Sequence, residues 1–395
     1  MHHNDTSKEK RNHSNVVSDI RELLFNAVET QLHSDVTNGL FLSGGIDSTL
    51  LLAISNEVRI KNLPSFSIIN NSEDRNFGTD DYLYANKAAK VYNSEHIQIL
   101  IDDKILKYTE ELIQQLDQPI GDSALLLTWL LSENASTKIR VALSGAGADE
   151  WFAGYNRHWA YAKYLNTLYG NNLLIKSSNL LSGIIPEGFS HPLRKQARLW
   201  NKFSSKISTN PIETYDNFRS LNFPKSLMFT SAKGERFETI SNDQLLELAF
   251  TKDRNDYLAS DLLLLTDKMS MLKSLEVRLP YLDNNLTDYL SNLSPIVLLK
   301  NGPKWILKEL LQNLGGKEFT HRKKEGFGMP IGKWIKEKQN KFLLLNLENK
   351  NSTIYNYISF EIVAKLLSDH LSNKKDYSSE LWSLIVLTNW VQKEF

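Results

Sequence analysis

The 395 residues contain no cysteine. That excludes disulfides, thiolate zinc sites and cysteine nucleophiles within this sequence. The nine histidines are scattered with no HExxH pair, so a zinc site is not expected. An excess of one charge is missing too. Lys plus Arg and Asp plus Glu each number 46, and the formal net charge is zero. A general nucleic-acid or anionic-membrane binder would need a basic excess. No apolar run reaches membrane-spanning length. The opening stretch, MHHNDTSKEKRNHSN, lacks the apolar segment of a secretory signal. A cytoplasmic protein with no nucleic-acid or membrane partner is therefore expected. Neither GxxxxGK[ST] nor GxGxxG occurs, so two familiar glycine-rich nucleotide loops are also absent.

The chain is 41% hydrophobic, enough for a sizeable core, and long enough for one large domain or two ordinary ones. Residues 1–15 read as a disordered polar tail, with low apolar content throughout. From Val16 to Leu32, Ile20, Leu23, Leu24, Ala27 and Val28 share one helical face. Strands are expected at Gly39–Leu42, Ser65–Ile69, His96–Ile101 and Ile139–Leu143. Helices are expected at Ile46–Ile54, Asp80–Val91, Ile105–Leu116 and Ala124–Ala135, with a polar loop at Asn70–Thr79. This alternation at spacings of roughly 30 residues predicts an α/β fold, a parallel sheet with helices on both faces. Beyond Trp151 the periodicity is almost wholly helical, with loops at 183–192 and 315–332. The expected organisation is an α/β core over residues 16–160 and a mainly helical part over 161–395 that completes the site.

Four stretches carry the candidate chemistry. The first is Gly39-Leu40-Phe41-Leu42-Ser43-Gly44-Gly45-Ile46-Asp47-Ser48-Thr49. A short strand runs into a glycine turn and then a helix. Bare N–H groups at a helix N-terminus gather partial positive charge and make an anion cradle, most often for phosphate. Ser43, Ser48 and Thr49 can add hydroxyl donors. Asp47 would repel a polyphosphate unless a cation lay between them, which makes it a candidate Mg²⁺ ligand. The pattern SGGxDS is that of loops that cleave ATP between the α and β phosphates. The second stretch, Ser144-Gly145-Ala146-Gly147-Ala148-Asp149-Glu150, follows the fourth strand. Ligands in open parallel sheets bind at strand C-terminal ends, so both loops are expected to face one crevice. Asp149 and Asp47 could share a Mg²⁺ there, and an ordinary turn with a solvated acid pair is the plainer alternative.

The third stretch, Asp267–Asp283, holds Glu276, Arg278 and two aspartates among apolar residues and reads as an ion-paired structural hub. The fourth, Arg322-Lys323-Lys324-Glu325-Gly326-Phe327-Gly328-Met329-Pro330, sets three cations beside a glycine turn. Such a loop suits a mobile phosphate clamp, with a solvated basic loop as the plainer reading.

In this order the motifs resemble the synthetase domain of the glutamine-dependent asparagine synthetase family. The resemblance rests on HSDV (33–36), LSGGIDS (42–48), DQPIGDSA (117–124), ALSGAGADEWFAGY (142–155), DKMSMLKSLEVRLPYLD (267–283), RKKEGFGMP (322–330) and LWSLIVLTNW (381–390). It implies an adenine nucleotide alpha-hydrolase-like fold and a ligase that forms an acyl-adenylate from ATP. Ammonia or an amine then makes the amide, with AMP and pyrophosphate as products. It further implies that Ser43, Gly44, Gly45, Ser48 and Thr49 cradle pyrophosphate. Asp47 and Asp149 would hold Mg²⁺, and Leu42, Ile68, Ser144 and Gly145 would contact the nucleoside. Lys324 would be the catalytic cation, with Asp149 and Glu150 beside it as the other catalytic candidates.

Two departures stand out. The family's glutaminase nucleophile is a cysteine after the initiator Met, and this sequence has His2 there and no cysteine. A chain without the N-terminal glutaminase domain is expected to take nitrogen from ammonia, an amine or a separate glutaminase subunit. Asparagine-forming members usually carry an acid where Ala146 stands. Aspartate is the first-guess acid. The alternatives are an amidating or cyclising ligase for another metabolite or peptide, and a catalytically silent nucleotide-binding partner subunit. An oligomer is compatible with all of these.

Overall fold

The computed structural model describes residues 13–58, 60, 62–70, 81–181, 200, 203–221, 223, 240–321 and 329–394. The expectations for the N-terminal tail before His13, for residues 71–79 of the Asn70–Thr79 loop, for the 183–192 loop and for the basic stretch at 322–328 fall outside these residues. Within them the chain forms two compact units, divided at Ala148/Asp149, Asp256/Tyr257, Tyr289/Leu290 and Trp305/Ile306.

The larger unit holds the sheet. Helix α1 (His13–Leu32) starts three residues before Val16 and buries Ile20, Leu24, Ala27 and Val28. Strand β1 (Asn38–Phe41) leads through the glycine turn into α2 (Ile46–Glu57). Then come β2 (Ser65–Asn70), α3 (Asp81–Val91) and β3 (His96–Ile101). The helix expected over Ile105–Leu116 begins as a tighter 3₁₀ turn, Asp103–Tyr108, whose Asp102 side chain accepts from the Lys104 amide. It continues as α4 (Thr109–Gln114). Helix α5 (Ala124–Ala135) and β4 (Val141–Leu143) complete the expected set.

The sheet has a fifth strand. Glu276–Arg278 (β5) pairs parallel with β4, Ala142 opposite Val277, inside the stretch read as helical and as an ion-paired hub. Three residues are too few to show a period, so the pattern passed unnoticed. The ionic part of that reading holds locally, because the Arg278 Nε donates to Glu276 at 2.7 Å. Strand order is β3-β2-β1-β4-β5, all parallel. The chain winds outward from β1 through β2 and β3, then returns to place β4 on the other side of β1. That reversal opens a crevice beyond the C-terminal ends of β1 and β4. Phe66, Ile99, Leu131, Ala135, Ile139, Ala142 and Leu275 pack as one buried cluster. Each large apolar side chain buried in this way contributes about 1.5–3 kcal/mol.

The smaller unit is helical. It includes α6 from Asp149 onward (Ala148–Trp151), α7 (Asn156–Thr167), α8 (Asn172–Leu181), α9 (Pro211–Arg219) and α10 (Asn242–Lys252). The Asn210 side chain caps α9, accepting from the Ile212 and Glu213 amides. Ser241 and Gln244 form a reciprocal capping box at the start of α10. Among the described residues no helix is long and apolar enough to cross a membrane.

Candidate active site

The larger unit contains a cavity of about 220 Å³ at the C-terminal ends of β1, β2 and β4. Its walls include Leu42, Ser43, Asp47, Ser48, Ile68, Ser144 and Gly145, all singled out from the sequence. Phe41, Phe66, Ser67, Asp81, Tyr82 and Ala146 also line it, with further apolar and hydroxyl side chains from α5. The two loops meet directly, since a Cβ on Gly145 would lie 3.0 Å from the Asp47 Cβ.

The glycine turn has a definite geometry. Gly44 sits at φ +72°, and a Cβ there would come within 2.5 Å of both the Asp81 carbonyl oxygen and the Ala85 amide nitrogen. Only glycine fits both that conformation and the approach of α3. Ser43 and Ser48 brace each other: the Ser43 amide donates to Ser48 Oγ at 3.1 Å, and the two hydroxyls are 3.1 Å apart. No side chain caps the N-terminus of α2. Its leading amides are therefore arranged as an anion site would need them. Gly44, Gly45 and Thr49 are not among the cavity walls, and Thr49 is fully buried.

The stretch after β5 supports both loops. The Ser144 amide donates to the Arg278 carbonyl at 3.0 Å. Tyr281, fully buried, donates its hydroxyl to the Asp47 main-chain carbonyl at 2.9 Å. Leu282 packs under Gly147, where a Cβ would sit 2.4 Å from its Cδ2.

Asp149 and Glu150 belong to the smaller unit. Asp149 Oδ1 is 2.7 Å from the Lys304 ammonium, whose side chain is 6% exposed. Gly154 makes room for the pair, because a Cβ there would lie 2.0 Å from that Oδ1 and 2.2 Å from Lys304 Cε. Glu150 is fully buried and accepts from the Tyr155 hydroxyl at 2.5 Å. Burial pushes its carboxyl above the usual range, opposed by that hydrogen bond. Lys304 and Tyr155 were missed as partners of these acids. Asn301-Gly302-Pro303-Lys304 reads as an ordinary turn, and only folding brings its lysine to Asp149. Lys324 lies outside the described residues.

The same unit holds a buried ionic cluster that no motif announced. Asp253 accepts from Arg157 Nε (2.7 Å), His158 Nε2 (2.8 Å) and the Tyr215 hydroxyl (2.7 Å), and lies 3.1 Å from Arg219 Nε. Burial alone would raise its pKa. The His158 hydrogen bond and the Arg157 charge overcome that and hold it at about 2. Burial lowers the pKa of His158, against its hydrogen bond to Asp253.

Among the described residues no group of three or more acids or histidines could hold a metal by itself. Asp47, a cavity wall, offers a carboxylate of the kind that Mg²⁺ takes, whereas Asp149 belongs to the smaller unit and is paired with Lys304 there. Magnesium commonly completes its shell with substrate phosphates and water, so the donor chemistry fits.

The asparagine synthase family model matches residues 19–392. Asparagine synthetase [glutamine-hydrolyzing] 1 of Bacillus subtilis is 26% identical over 393 residues, covering 95% of this chain and 59% of that protein. A putative asparagine synthetase of Mycobacterium tuberculosis H37Rv is 26% identical over 385 residues, covering 94% of this chain and 57% of that protein. The amidase chyE of Penicillium rubens is 22% identical over 382 residues, covering 84% and 56%. The chain thus spans less than two thirds of the length of these relatives.

Proposed function

Because the chain belongs to the asparagine synthase family, we propose that it is an ATP-dependent, AMP-forming amide ligase. A carboxylate attacks the α-phosphorus of ATP, the P–O bond to pyrophosphate breaks, and an acyl-adenylate forms. A nitrogen nucleophile then attacks the acyl carbon, loses a proton and expels AMP. The observation that carries this reading is the cavity where Ser43, Asp47 and Ser48 stand with Ser144 and Gly145 at the strand ends.

The roles follow from local chemistry. The uncapped α2 amides and the paired Ser43 and Ser48 hydroxyls bind departing pyrophosphate. Leu42 and Ile68 flank the nucleoside. Asp47, on the cavity wall, would help hold Mg²⁺, which when bound neutralises phosphate charge. Lys324 stabilises charge that develops in the transition state. Glu150, buried and off the cavity wall, orders its surroundings through Tyr155. These 395 residues hold no cysteine for glutamine hydrolysis, so nitrogen reaches this site from outside them, as ammonia or an amine. Aspartate is the first acid to test. A second reading, ligation of a larger acid, is favoured by one observation: Ala146 lines the cavity where an acid is usual for asparagine formation.

Pyrophosphate release with ATP, Mg²⁺ and a panel of acids decides between them. Release with aspartate and ammonium supports asparagine formation. Release only with larger acids selects the second reading. Products of ADP and phosphate, seen by phosphorus NMR, would overturn the ligase assignment. Amide formation from glutamine by the pure chain would refute the nitrogen assignment.

A further inference from the structure

The basic stretch at 322–330 ends at Met329 and Pro330, and a buried histidine holds that end. Pro330 leads into α11 (Ile331–Trp334), where the Lys333 and Trp334 amides donate to the Pro330 carbonyl at 2.9 and 3.0 Å. His370 lies in the last turn of α12 (Phe360–Leu371) and is fully buried. Its Nε2 is 3.0 Å from the Gly332 carbonyl oxygen, and the Tyr377 amide donates to its Nδ1 at 3.2 Å. Tyr377 immediately precedes α13 (Ser378–Glu394). One imidazole thus clasps the α11 turn to the start of α13. Gly332 permits the approach, since a Cβ there would lie 2.8 Å from Ser378 Cβ and 3.2 Å from His370 Cε1.

The tautomer follows from the partners. A main-chain carbonyl only accepts, and a main-chain amide only donates. Nε2 therefore carries the proton, Nδ1 presents its lone pair, and the ring is neutral with both nitrogens satisfied. A second proton would have to sit on Nδ1, facing the Tyr377 N–H, donor against donor. Burial is the largest cause that resists it and lowers the His370 pKa, and the Lys336 charge acts the same way. The Gly332 hydrogen bond and the Asp376 and Glu380 charges oppose them. Each packed element contributes charged groups here. On α11, Lys333 lies 4.0 Å from Glu337, and Lys336 beyond it donates to the Asn373 side chain at 2.6 Å. On α12, Asp369 pairs with Lys374. Glu380 on α13 is buried. Asp376 Oδ1 stands 3.6 Å from Nδ1 and already accepts from the Ser378 amide at 3.0 Å. A protonated Nδ1 turns to this carboxylate, and the tie to Tyr377 is lost.

We propose that His370 is a positioning residue: its neutral ring anchors the C-terminal end of the basic stretch, and protonation in acid releases that anchor. This rests on the role proposed for Lys324 in the ligase reading. A donor that stabilises a transition state acts from a fixed position. Lys324 is five residues before Met329, and α11 supplies the fixed point at that end.

The test is hydrogen exchange by mass spectrometry on the full chain at pH 7 and pH 5, each corrected for its intrinsic rate. It is paired with pyrophosphate release from ATP and Mg²⁺ with the most active acid of the panel. Protection of the amides at 331–336 and 377–381 is expected to fall about fivefold at pH 5, the scale of one net hydrogen bond, while β1 and β2 keep theirs. His370→Phe keeps a ring but neither hydrogen bond. It should show the low protection at both pH values and a kcat about fivefold lower, with the KM for ATP unchanged. His370→Asn keeps an acceptor for the Tyr377 amide that does not titrate. Its protection should be alike at both pH values and exceed that of His370→Phe. Equal protection of the unsubstituted protein at pH 7 and pH 5 overturns the proposal. So does equal protection of His370→Phe and the unsubstituted protein at pH 7. A loosened corner with an unchanged kcat overturns the positioning role and leaves the ligase reading intact. Pyrophosphate release with none of the acids overturns the ligase reading and the positioning role together, and exchange alone still decides the clasp.

Discussion

The buried Tyr281 hydroxyl donates to the main-chain carbonyl of Asp47, 234 positions earlier, at 2.9 Å. The segment after the fifth strand therefore braces the phosphate-type loop from beneath. Tyr281→Phe removes that donor and keeps the ring. It should cost about 0.5–1.5 kcal/mol in urea unfolding, the net worth of one hydrogen bond. A loss above about 3 kcal/mol would mean that the ring packing also changed.

Asp149 and Lys304 form a mostly buried ion pair in a space that Gly154 leaves open. Lys304→Met keeps most of the stem and deletes the charge. Removing one partner of such a pair typically costs about 3–5 kcal/mol, because the other charge stays desolvated. The lower end is expected, since the Asp149 side chain is 20% exposed. Chemical denaturation of both proteins at one pH measures it, and an unchanged midpoint would contradict the pairing.

Charge at the proposed ATP site should affect turnover more than stability. Asp47→Ala should abolish pyrophosphate release while the melting temperature moves little, because the side chain lines a cavity. Lys324→Ala should reduce turnover by about 10²–10³, as for a lost transition-state donor, with ATP binding kept. Lys323→Ala should be mild. Equal effects at the two lysines would reduce the basic loop to a general electrostatic patch.

Acid should weaken the smaller unit in two stages. The folded pKa of His158 lies below its ordinary 6.5, so below that pH the unfolded chain takes up a proton that the folded chain refuses. Stability falls from about that pH downward. Asp253 is held at about 2 against an ordinary 3.8, so its contribution is complete above 3.8 and fades as pH drops toward 2. Urea midpoints at pH 7, 5 and 3.5 should decline in that order. Asp253→Asn should be less stable at pH 7 and lose the lower stage. A flat profile from pH 7 to 3.5 would contradict this arrangement.

The sequence by itself determined the α/β class and four of the five strands. Each of those strands has an apolar run or alternation bounded by turn residues, a glycine or proline at three of them and Asn93-Ser94 and Asp102-Asp103 around β3, and such local signals survive without any fold. It also displayed the SGGxDS and SGAGADE loops, because tight turns at strand ends demand small residues in fixed order. β5 stayed hidden. Three residues carry no period, and Val277 becomes a strand residue only because Ala142 lies beside it. The pairings Lys304–Asp149, Tyr281–Asp47 and His370–Gly332 link positions separated by 155, 234 and 38 residues. The Asp253 cluster likewise draws on three separate helical segments. No residue in these groups marks its partner in the linear chain. Their energies exist only after the backbone brings donor and acceptor within about 3 Å and removes the competing water, which tertiary packing alone decides.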